Sequence, residues 1–109
     1  MIYESMIIGI ESAVFPEVQR ASKALFGNQD RLVVAAAVAE AEPGSIYARS
    51  LAQEMGITDN RVSPQLHNLE RAGLLTRLPK LGGGPTVHYE RRDSAFWELC
   101  VSLCRELGA

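Results

Sequence analysis

Between Thr58 and Arg71 the chain gathers hydroxyl, amide, imidazole and guanidinium groups: Thr58, Asn60, Arg61, Ser63, Gln65, His67, Asn68 and Arg71. An amide pairs bidentately with adenine and a guanidinium with guanine in the major groove, so Asn60, Arg61 and Asn68 are the base-reading candidates. Thr58 and Ser63, near the start of the segment, and Arg71, further along, suit phosphate oxygens. At about 100° per residue, Asn60, Pro64, His67, Asn68 and Arg71 share one helical face. Val62, Leu66, Leu69 and Gly73 share the opposite face, and Gln65 falls on the shoulder. Pro64 can offer a thymine methyl an apolar contact in place of a hydrogen bond.

Cys100 and Cys104 stand four residues apart, which puts their Cβ atoms roughly 6 Å apart on one helical face. That spacing suits a soft metal or thiol chemistry. No histidines cluster with them, however, and cysteine in an amphipathic helix is usually a small buried apolar residue. No metal or other cofactor is expected. An enzyme is not expected either, because no Ser/His/Asp set, paired carboxylates or closed ligand set is visible.

These groups need elements to hold them. Leu51, Ala52 and Met55 recur at helical spacing, Gly56-Ile57-Thr58 breaks the period, and Val62, Leu66 and Leu69 begin a second stripe. Gly56 suits a left-handed helix end, Ile57 can plug the angle between the helices, and Thr58 or Asp59 can cap the second. Pro64 leaves two starts for that helix. Ser63 and Pro64 make a favourable cap and first position, but the register of Val62, Leu66 and Leu69 favours a start at about Asp59 with an irregular first turn. Downstream, 74–78 and 86–91 are rich in β-formers and flank Pro79-Lys80-Leu81-Gly82-Gly83-Gly84-Pro85, which predicts a hairpin with a flexible tip. The triple glycine is not read as a phosphate loop, since no Lys-Ser/Thr follows it and the next segment has a strand pattern. Arg77, Lys80 and His88, with Arg91 nearby, are the phosphate candidates of the hairpin.

The run Gly56-Ile57-Thr58, Val62-Ser63, Leu66, Leu69-Glu70 and Ala72-Gly73-Leu74-Leu75 resembles the winged helix-turn-helix regulators, in particular the ArsR-like and MarR-like groups. The resemblance covers about Phe26 to Arg92. It implies a dimeric regulator of transcription, more often a repressor than an activator. Its second motif helix (59–72) would enter the major groove of double-stranded DNA and its wing (76–91) would lie along the phosphates. The rival from another class is a winged-helix adaptor that binds protein without specific DNA binding. The polar second helix and glycine-rich hairpin tilt against that rival.

A chain of 109 residues, 47% of them hydrophobic, is expected to form one domain. The expected class is mainly α with a small antiparallel β-hairpin and extra helices at both ends. Net charge is −2, yet 44–92 holds seven Lys/Arg against four Asp/Glu, so the motif region is basic and its flanks acidic. The opening residues lack the charged start of a secretory signal, and their apolar run is too short for a membrane span. With only two cysteines, a reducing cytoplasmic setting is expected.

At the start, Tyr3, Ile7, Ile10 and Val14 form one helical stripe that Pro16 interrupts or restarts, followed by Val18, Ala21, Leu25 and Phe26. A helix is predicted over 30–42, stopped by Pro43-Gly44, and Ser45-Ile46-Tyr47 is expected to be a strand pairing with the wing. Asp93 or Ser94 should cap a last helix to about Leu107, with Trp97, Cys100, Val101 and Cys104 on its apolar side. Tyr47, Tyr89 and Trp97 read as core aromatics. The apolar terminal segments, 1–27 and 94–109, exceed what a small domain usually hides and are assigned to a homodimer interface. A small-molecule effector between them has room but no specific signature.

Overall fold

The computed structural model describes residues 15–80 and 84–108. The interface candidates Tyr3, Ile7, Ile10 and Val14 therefore lie outside the described residues, as do three residues of the hairpin tip. The described residues form a mainly α protein of five helices and one two-stranded sheet.

Helix α1 (Phe15–Phe26) carries Pro16 in its first turn, a position that proline's fixed φ suits. Of its apolar positions Val18 is buried, but Leu25 and Phe26 stand out in solvent. Ser22 takes the inward place instead. Its hydroxyl donates to the Asn28 carbonyl at 2.7 Å and accepts the Leu32 N–H at 3.0 Å, tying α1 to the start of the next helix.

Helix α2 (Arg31–Glu40) is the core: every residue from Leu32 to Val38 is buried. A helix apolar all round must be covered on all sides, and α1, α4 and α5 supply most of that cover. Full burial of each valine or leucine contributes about 1.5–3 kcal/mol.

Helix α3 (Ala48–Met55) ends at Gly56, whose φ of 71° lets the chain reverse at once. Helix α4 (Asp59–Arg71) then starts where the stripe register favoured, with Pro64 inside it. It closes on Gly73 (φ 82°), with Leu74 N–H on the Leu69 carbonyl and Gly73 N–H on that of Glu70, both at 2.9 Å.

Strands β1 (Leu75–Arg77) and β2 (Tyr89–Arg91) pair antiparallel, with Thr76 opposite Glu90. The expected third strand at Ser45-Ile46-Tyr47 does not form. Among the described residues a single backbone bond, Tyr89 N–H to the Ile46 carbonyl at 3.0 Å, joins that segment to the hairpin, because Ile46 plunges into the core and Tyr47 already leads α3.

Helix α5 (Ala95–Gly108) lies against α2 and α1, with Ser94 Oγ accepting the Phe96 N–H at its start. None of the described helices is long and apolar enough to cross a membrane.

Candidate nucleic-acid interface

The α4 helix has a sharply divided surface. Val62, Leu66 and Leu69 are buried, and Asn60, Pro64, His67 and Arg71 form an exposed stripe on the other side. Thr58 precedes the helix, exposed, with its carbonyl rather than its side chain serving the first turn: it accepts the Arg61 N–H at 3.0 Å. Ser63 is half-buried beside the stripe. Together with His67 it borders a shallow depression shared with Arg49 of α3 and with Pro85, Thr86 and Val87 leading into β2. The hairpin therefore flanks the exposed face of α4.

Two of the three base-reading candidates do not join that stripe. Arg61 turns back to Asp30, its Nη2 and Nε donating to the two carboxylate oxygens at 2.7 and 3.1 Å. The bidentate bond raises the Arg61 pKa, and the Asp30 side chain is only 8% exposed. Arg61 is thus a tie between α4 and the start of α2, and a base contact would have to break that tie. Asn68 lies toward a cavity bounded by α2, α4 and α5, away from the line of Asn60, Pro64, His67 and Arg71.

Gln65, on the predicted shoulder, is buried in the same inward polar row. Its amide oxygen accepts from Arg31 Nε at 3.2 Å and its amide nitrogen donates to Asn28 Oδ1 at 3.1 Å. Asn28, Asp30 and Arg31 were not singled out by sequence, and only the polar cluster after α1 hinted at them.

The hairpin residues divide similarly. Arg77 binds Glu70 at 3.0 Å, and its guanidinium carbon lies 5.8 Å from the centre of the Tyr89 ring. Glu70 thereby offsets much of the charge that Arg77 was expected to offer phosphate. Arg91 is structural: its Nη1 donates to the Val38 and Ala41 carbonyls at 2.6 and 2.8 Å, satisfying the end of α2. His88 packs against Tyr47, ring centres 4.6 Å apart. Lys80 is exposed. Arg49 stands 73% exposed at the edge of the depression, 3.8 Å from Asp59.

The interface assignment of α5 is corrected for three residues. Trp97, Cys100 and Cys104 belong to the chain's own core, and Val101 is half-buried. Burial pushes the Cys100 thiol up to about 11 and the Cys104 thiol to about 12. Both stay protonated near neutral pH, which makes them poor nucleophiles. The described residues contain no cluster of metal-binding side chains.

No protein-family model matches the chain, and no curated protein matches it.

Proposed function

We propose that the chain is a winged helix-turn-helix regulator that binds double-stranded DNA as a homodimer. In this reading α3, the turn at Gly56–Thr58 and α4 are the motif, and the β1–β2 hairpin is the wing. The supporting observation is the exposed stripe of Asn60, Pro64, His67 and Arg71, opposite a buried aliphatic face and bordered by the hairpin. Asn60 reads a base edge, Pro64 meets a thymine methyl, and His67 and Arg71 follow the groove. Arg49, Arg71 and Lys80 supply the phosphate contacts.

The test is fluorescence anisotropy with random duplex DNA over a salt series. Three phosphate contacts per subunit give a slope of log affinity on log salt of about −3 per subunit. A double variant, Asn60→Ala with Arg71→Ala, should weaken binding and flatten that slope. No rise in anisotropy at low salt would instead favour a protein-binding adaptor.

A further inference from the structure

We propose that the cavity between the end of α1, α2, α4 and the start of α5 binds a small apolar carboxylate. The cavity measures about 290 Å³ and is open to solvent on one side. A dry apolar cavity of about 150 Å³ accommodates benzene, so this one has room for a medium acyl chain or a fused ring.

Phe26 and Phe96 contribute aromatic walls, and Leu32 and Leu69 contribute aliphatic ones. Such a lining takes up hydrocarbon. Against it stand two polar groups with unspent capacity. Arg31 gives Nη1 to the Phe26 carbonyl and Nε to Gln65, but its Nη2 has no hydrogen-bond partner among the described residues. No carboxylate of the described residues pairs with Arg31, since neighbouring Asp30 is engaged by Arg61. The half-buried Asn68 side chain likewise makes no hydrogen bond among the described residues. A partly desolvated cation beside an apolar cavity selects an anion with an apolar body.

The carboxylate would sit on Arg31 and Asn68, with its body against the two phenylalanines. Gln65 then connects the site to α4. It is buried, and its oxygen is held by the same Arg31 Nε that lies beside the anion position. Drawing Arg31 toward a ligand loosens that bond and acts on the helix carrying Asn60 and Arg71. This last step, unlike the binding itself, rests on the reading of α4 as the DNA-binding helix.

Calorimetric titration of the full chain with octanoate and with naphthoate tests the site without DNA, and the two probes separate an acyl from an aryl preference. Saturable binding of at least one at one molecule per chain is expected, with octanol, the uncharged counterpart of octanoate, at least about tenfold weaker than octanoate. Arg31→Gln should weaken carboxylate binding by a similar factor. Ala72→Phe, an exposed position lining the cavity, should abolish it. Absence of saturable heat with both probes would overturn the proposal, as would equal affinity for octanol and octanoate. The octanol comparison needs no variant and so stands even if Arg31→Gln fails to fold. Carboxylate binding without any DNA binding would sink the regulator reading and leave the pocket, whereas DNA binding without carboxylate binding would sink the pocket alone.

Discussion

Arginine is the residue type whose role changes most between sequence and structure. Arg61, Arg77 and Arg91 all lie in the basic segment, and each finds a protein partner: a carboxylate 31 residues back, a carboxylate seven residues back, and two carbonyls at the end of α2. Helical spacing gives a residue's face within about a third of a turn. It does not tell which distant group waits opposite, so Asp30 and Val38 were invisible as partners. The Arg61 bond makes a measurable claim. Arg61→Ala strands the nearly buried Asp30 carboxylate without its cation, and the loss of a fully buried pair's partner costs about 3–5 kcal/mol. Arg61 is itself 37% exposed, and water can reach the vacated site, so the expected loss is about 2 kcal/mol. Urea denaturation measures it. His67→Ala, at an exposed position without a hydrogen bond among the described residues, should stay within about 0.5 kcal/mol of the parent. Equal stability of the two variants would remove the structural role assigned to Arg61.

Elements were far more legible than contacts. The 3.6-residue stripes at Leu51–Met55 and Val62–Leu69 and the turn at Gly56 are local signals, and local chemistry decides helix boundaries. The short strand expected at Ser45–Tyr47 failed for the opposite reason: a strand exists only if a partner supplies its bonds, and β2 offers one there. Pro64 tests the local account further. It sits in the second turn of α4 with an exposed side chain, and having no N–H it leaves the Asn60 carbonyl without its helical donor. Pro64→Ala restores that bond and relieves the ring's clash with the preceding turn, so stability should rise by roughly 1–3 kcal/mol in urea denaturation. A fall would mean that the ring is held by contacts the helix needs. In the proposed docking the same variant also loses the apolar contact to the groove. A more stable protein with weaker sequence preference is therefore the combined expectation.

At the scale of the molecule the outstanding quantity is apolar surface. Trp97, Cys100 and Cys104 turn inward, yet Leu25 is 61% exposed, Phe26 42% and Leu99 62%, on helices α1 and α5 that pack against each other. A second copy is the proposed cover, with each subunit presenting the same α1 and α5 surfaces across a two-fold axis. Sedimentation equilibrium at micromolar concentration should then return the mass of two chains. Four leucines, Leu25 and Leu99 from each subunit, become covered, and full burial of one such side chain contributes about 1.5–3 kcal/mol. Replacing both by glutamate also sets like charges into the contact. Leu25→Glu with Leu99→Glu should accordingly raise the dimer dissociation constant at least about a hundredfold, with an unchanged helical circular dichroism spectrum because neither side chain is part of the core. Salt separates this contact from the DNA face: apolar association persists or tightens as salt rises, while phosphate contacts weaken steeply. A parent protein that sediments as one chain across that concentration range would exclude the two-fold arrangement and, with it, the paired presentation of two α4 helices to adjacent turns of the major groove.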